Sequence, residues 1–95
     1  MGYKVEMRAD ALEEFKKLDN SVKILITKLI NRLEKTDNPK AFGKQLKENL
    51  KGYWSYRVEN YRIVADIQDD RLIILVISIG HRSTIYEKTD KKLNQ

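Results

Sequence analysis

The chain has no cysteine, which excludes disulfides, zinc–thiolate sites and cysteine nucleophiles. Its single histidine, His81, leaves no histidine-rich metal site. Its four glycines form no phosphate-cradling loop, and no serine stands beside the histidine in a nucleophile motif. The longest apolar run, Leu72 to Ile79, is far too short to cross a bilayer, so no membrane role is expected. Met-Gly-Tyr-Lys at the start holds no apolar signal region, which points to a cytoplasmic protein. Converging carboxylates are also missing. Asp69-Asp70 fits a turn, and Asp10, Glu13 and Glu14 fit the first turn of a helix, where negative charge favours the dipole. Neither a metal nor another cofactor is expected.

What is present is one modest core and a surplus of cations. Ninety-five residues, 41% of them apolar, suit one domain spanning 1–95. That apolar share argues against disorder despite a charged fraction of 35%. The formal charge is +5. Lys40, Lys44, Lys47, Lys51 and Arg57 cluster against the single Glu48. A second basic stretch holds Arg82, Lys88, Lys91 and Lys92, diluted by Glu87 and Asp90. Such clusters suit a polyanion, an acidic partner or a solvated surface, and charge alone does not choose among them.

Residues 3–8 alternate apolar and polar, as a strand does. Asp10 stands at an N-cap position before Leu12, Phe15 and Leu18, a short amphipathic helix. Ser21 opens a second helix, with Val22, Leu25, Ile26, Leu29, Ile30 and Leu33 as its stripe, which Asp37-Asn38-Pro39 stops. Residues 40–51 form a basic connector with little periodicity. Three strands follow, Tyr53–Val58, Tyr61–Gln68 and Arg71–Ile79, joined by two-residue turns at 59–60 and 69–70. The polar tail ends in a short, weakly held helix. The fold class is α+β: a helical hairpin on one face of a four-stranded, mainly antiparallel sheet, ordered β-α-α-β-β-β.

A two-residue turn at 59–60 pairs Val58 with Tyr61, Arg57 with Arg62 and Ser55 with Val64. Trp54, Tyr56, Val58, Tyr61, Ile63 and Ala65 then face the core, and Tyr53, Ser55, Arg57 and Arg62 face away. Two arginines directly opposite repel unless an anion lies over them or Asp66 or Glu59 neutralises one. Arginine, lysine, tyrosine and one histidine suit metal-free RNA cleavage. There the 2′-OH attacks the adjacent phosphate, guanidinium groups hold the growing charge, and an aromatic ring stacks on a base.

Tyr53-Trp-Ser-Tyr-Arg-Val-Glu-Asn-Tyr-Arg-Ile-Val64, then Leu75-Val-Ile-Ser-Ile-Gly-His-Arg82 and Tyr86, resembles the RelE branch of the RelE/ParE toxin superfamily. Leu46-Lys47, Leu50-Lys51-Gly52 and Ala11-Leu-Glu-Glu-Phe-Lys-Lys-Leu18 fit the same pattern, so the likeness covers nearly the whole chain. It implies a type II toxin that enters the ribosome and cuts mRNA, with an antitoxin of the RelB type as partner and an oligomeric toxin–antitoxin complex. It also implies that the tail from Glu87 to Gln95 is displaceable by that antitoxin. By resemblance, Arg62 stabilises the phosphate, Arg82 acts on the phosphate or the leaving group, Tyr86 stacks on a base, and Arg57 holds an often basic position. Lys44, Lys47 and Lys51 are expected to grip RNA. Strongly active relatives carry lysines where this chain has Tyr53 and Ser55. Proton transfer therefore falls to another group, for which His81 is a candidate, or His81 is only a turn residue. Two alternatives share the fold: a ParE-like inhibitor of DNA gyrase that cuts nothing, and a degenerate toxin that only binds.

Overall fold

The computed structural model describes residues 2–94. Strand β1 (Lys4–Met7) leads into helices α1 (Ala9–Lys16) and α2 (Asn20–Lys35). A 3-10 turn (Pro39–Phe42), strand β2 (Lys44–Gln45) and a second 3-10 turn (Glu48–Leu50) follow. Strands β3 (Trp54–Val58), β4 (Tyr61–Gln68) and β5 (Ile73–His81) and helix α3 (Ile85–Leu93) complete the order.

The sheet has five strands in the order β1-β5-β4-β3-β2, one more than expected. The extra strand, β2, lies in the connector, and two residues are too few to show a period. It pairs antiparallel with β3 through Lys44 opposite Ser55 and Gln45 opposite Trp54. β1 runs parallel to β5, because the α1–α2 hairpin carries the chain back over the sheet. The other neighbouring strands are antiparallel.

The expected register between β3 and β4 is observed: Val58 pairs with Tyr61, Arg57 with Arg62 and Ser55 with Val64. Glu59, in the two-residue turn, takes φ +54. At the next corner the expected two-residue turn is a four-residue loop, since Gln68 pairs with Ile73. Asp69 is drawn aside there, accepting hydrogen bonds from the Tyr3 hydroxyl at 2.6 Å and from Lys40 Nζ at 2.7 Å. β5 therefore begins at Ile73, not Arg71, and continues past Ile79 to His81.

The helices start two residues earlier than expected, and neither has a side-chain cap. Arg8 and Asp19 hold the cap positions. Asp10 instead sits in the first turn, where it accepts the Ala11 amide and pairs with Arg8 at 3.1 Å. Ile26 and Leu33 of α2 and Ala11 of α1 are buried against Tyr56, Val58, Ile63, Ala65, Ile74, Val76 and Ile79. Of these, Tyr56, Val58, Ile63 and Ala65 are on the face assigned to the core from the sequence, with Trp54 packed against it half-buried. The Tyr56 hydroxyl donates to the Pro39 carbonyl at 2.9 Å, and burial pushes its pKa up to about 12. Tyr56→Phe would remove that buried hydrogen bond. It is expected to cost about 1–2 kcal/mol, a fall of roughly 5–10 °C in Tm by thermal denaturation.

The tail is not weakly held. α3 covers the opposite face of the sheet, with Ile85 and Thr89 fully buried. Thr89 sends its hydroxyl back to the Ile85 carbonyl at 2.7 Å, so its own burial leaves that hydroxyl paired. β1 reaches only as far as Val76, so the rest of the outer edge of β5 needs other partners. Glu14 of α1 accepts the Ile79 amide, while Lys88 and Lys92 of α3 donate to the carbonyls of Ile79 and Ile77. Around that edge, Lys88 and Lys92 also pair with Glu14, at 3.1 and 2.9 Å.

Candidate functional site

On the α3 side of the sheet lies an open cleft of about 690 Å³. Arg57 and Arg62 reach it from adjacent strands, where they stand directly opposite each other. Arg82 enters from the turn after β5, whose backbone is fixed by donation from the Arg82 amide to the Asn60 carbonyl at 2.7 Å. That bond holds the β5–α3 turn against the β3–β4 turn and keeps Arg82 near the other two arginines. Tyr86, in the first turn of α3, closes the cleft, its hydroxyl 2.9 Å from Ser55 Oγ.

Among the described residues no carboxylate neutralises the cations. Glu59 offers Arg62 its backbone carbonyl, not its side chain: Arg62 Nη1 donates to the carbonyls of Glu59 and Tyr61 at 2.9 and 2.8 Å. Asp66 accepts instead from Gln68. Among the described residues neither Arg57 nor Arg82 forms an ion pair. Three arginines lining one cleft, with no counter-charge from a described residue, suit a polyanion, which would relieve their repulsion.

The other residues singled out from the sequence divide. Lys44 and Ser55 line the cleft, side by side across β2 and β3. Lys47 lines a neighbouring hollow that Tyr86 also borders, and Lys51 is exposed in a turn. Tyr53 precedes β3, is half-buried and does not line the cleft. His81 is outside it as well. His81 pairs with Tyr61, whose ring it meets edge-on at 5.8 Å, while its Nδ1 accepts the Ser83 amide at 3.2 Å. Phe42, Gly43 and Ser83 line the cleft without having been expected to. Gly43 carried the one readable signal. A Cβ there would lie 3.0 Å from the Tyr56 ring, so a larger residue would fit only if that ring gave by a few tenths of an ångström.

Among solved structures the same fold occurs in the toxin–antitoxin complex RelBE2 from Mycobacterium tuberculosis. Its TM-score is 0.78, with 24% identity over 86% of this chain and 100% of that one. An Escherichia coli RelE mutant in the free state gives a TM-score of 0.74 at 23% identity, covering 97% and 98% of the two chains. The fold is the one these small domains share. The chain belongs to the RelE/ParE toxin family: the family model for the ParE toxin of the type II toxin–antitoxin system parDE matches residues 5–86. A RelE-like toxin protein of Escherichia coli is 30% identical over 97 residues, 98% of this chain and 99% of that protein. The mRNA interferase toxin RelE of Escherichia coli strain K12 is 27% identical over 96 residues, with the same coverage.

Proposed function

We propose that this toxin is a ribosome-dependent endoribonuclease that cleaves mRNA by attack of a 2′-OH on the neighbouring phosphate. The observation carrying this reading is the convergence of Arg57, Arg62 and Arg82 on one cleft without a carboxylate partner. Arg62 holds the phosphate as negative charge builds on it. Its Nη1 is fixed by two carbonyls, which orients the fork and leaves Nε and Nη2 for the substrate. Arg82 takes a second phosphate oxygen or the leaving group, and Arg57 adds charge from β3. Lys44 and Ser55 line the path of the strand, with Lys47 and Lys51 further out. His81, the last residue of β5, is assigned to holding the turn that follows, through its contact with Ser83. The whole chain acts as one toxin domain. Its partner is an antitoxin of the RelB type, as in the RelB–RelE complexes of Escherichia coli and Pyrococcus horikoshii.

The test is to add the purified protein to a translation reaction and map the message ends. Cuts at ribosome-occupied codons that disappear with Arg62→Ala support the proposal. The match to the ParE family model favours a second reading, inhibition of DNA gyrase by binding. Gyrase poisoning without message cuts would establish that reading in place of the first.

Tyr86 gives a graded check. A tyrosine that stacks on a base contributes about 1–3 kcal/mol, so Tyr86→Ala is expected to slow cleavage roughly 5- to 150-fold. Tyr86→Phe keeps the ring and loses only the Ser55 contact, so its rate should stay within about tenfold of wild type. Equal losses in the two variants, measured as single-turnover rates, would assign the role to the hydroxyl.

A further inference from the structure

The cleft does not end at Arg57. The same arginine lines a second hollow of about 280 Å³ on the far side of β3, together with Leu25, Lys28 and Arg32 of α2. Lys28 and Arg32 in turn line a third, of about 470 Å³, which Lys35 completes. Shared walls make the three hollows one continuous surface, leading from the cleft over the β3 edge onto α2. Positions 28, 32 and 35 fall on one helix face, and Lys28 and Lys35 are separated by roughly 10 Å along the axis.

Charge on this surface is almost wholly of one sign. Glu59 is the single acidic residue lining the two outer hollows among the described residues. Lys28, Arg32 and Lys35 are exposed, and none forms an ion pair with a described residue. Arg32 is held in place by an aromatic ring, its guanidinium carbon 3.8 Å from the centre of the Phe42 ring. Phe42 is also a wall of the cleft. A guanidinium stacked on a ring is fixed in orientation while its N–H edge stays open to phosphate.

We infer that the Lys28–Arg32–Lys35 face of α2 is a second RNA-backbone site, continuous with the cleft through Arg57. It holds phosphates of a strand that passes beyond the point of cleavage. The inference rests on the ribonuclease reading for the identity of its partner. Two RNAs can supply that backbone, the message itself or ribosomal RNA beside it, and the experiment separates them.

Binding is measured against salt concentration for the wild-type chain, for Lys28→Gln/Arg32→Gln/Lys35→Gln, and for Lys28→Gln/Lys35→Gln, which keeps the Arg32–Phe42 stack. One arm uses a naked single-stranded RNA, the other a programmed ribosome. Each phosphate contact to single-stranded nucleic acid contributes about 0.7 to the slope of log K against log salt. The triple variant should therefore lose roughly 2 from that slope and the double variant roughly 1.4. Loss in both arms assigns the face to the message strand, and loss with the ribosome alone assigns it to ribosomal RNA. Slopes and affinities equal to wild type in both arms overturn the inference, whatever the cleavage result. A wild-type chain that cuts no message, while the variants still lose slope, sinks the ribonuclease reading and leaves this site standing.

Discussion

Arg62→Ala is expected to lower the single-turnover rate of message cleavage by about three orders of magnitude. Removing one preorganised donor from a developing oxyanion typically costs a factor of about 10² to 10³, and a phosphate-holding arginine reaches about 10³ to 10⁵. Arg62 belongs in this range because its guanidinium is fixed before substrate arrives, by the carbonyls of Glu59 and Tyr61. The variant should fold. The side chain leaves the sheet on the cleft side, and its loss removes repulsion with Arg57 directly opposite. Tm is therefore expected to hold or to rise slightly. Arg62→Lys keeps the charge but loses the fork, so it should recover only part of the rate. If Arg62 and Arg82 grip the same phosphate, their double alanine variant loses less than the product of the single losses. Multiplicative losses would mean separate anions, and a drop of under tenfold for Arg62→Ala would remove it from the chemistry.

The arginine pair was legible because β structure repeats every two residues. A two-residue turn fixed the register, and the register alone placed Ser55, Arg57 and Arg62 on one face. The same rule carried to β5 would have turned His81 toward Tyr61, its neighbour across the strands, and away from Arg62. Ending β5 at Ile79 hid that consequence, since His81 then seemed to lie in a free turn. β2 could not be read. Two residues have no period, and the placement of Lys44 beside Ser55 exists only once β2 docks on β3. The parallel pairing of β1 was equally hidden, because alternation shows that a strand has two faces and says nothing of its direction. Helix α3 offered only Ile85 and Leu93 among nine residues as aliphatic positions, and its attachment depends on a buried threonine and two lysines that reach the edge of β5.

The attachment of α3 leads to the second large effect: Glu14→Ala is expected to destabilise the fold by about 2–3 kcal/mol, lowering Tm by roughly 10–20 °C. Glu14 read from the sequence as a first-turn acid. In the structure its carboxylate accepts the Ile79 amide at 3.0 Å and pairs with Lys88 and Lys92. Alanine strands the Ile79 amide and takes a carboxylate from both lysines, leaving Lys92 with Asp10 at 3.3 Å, and the lysine chains lie partly buried with only 15% of Lys92 exposed. The remaining 22% exposure of Glu14 keeps the estimate at the low end of what a broken buried pair costs. Acid should reproduce part of this loss. Burial by itself would raise the Glu14 carboxyl, but Lys92, the Ile79 amide and Lys88 outweigh it and hold it below its ordinary value of 4.5. Asp10 is lowered likewise, its burial offset by Lys92 and Arg8. A carboxyl lowered in the folded state contributes its full stability above the unfolded value. That contribution is lost as pH falls through the ordinary carboxylate range toward the folded pKa. Glu14→Gln keeps an acceptor for Ile79 without the charge, so its Tm at neutral pH should lie between those of wild type and alanine. Its decline on acidification should be shallower than that of the wild-type chain, with Asp10 and Asp69, which Lys40 and Tyr3 hold low, supplying the remainder. A glutamine variant with the wild-type acid slope would show that the pairing around the β5 edge does not set the acid limit.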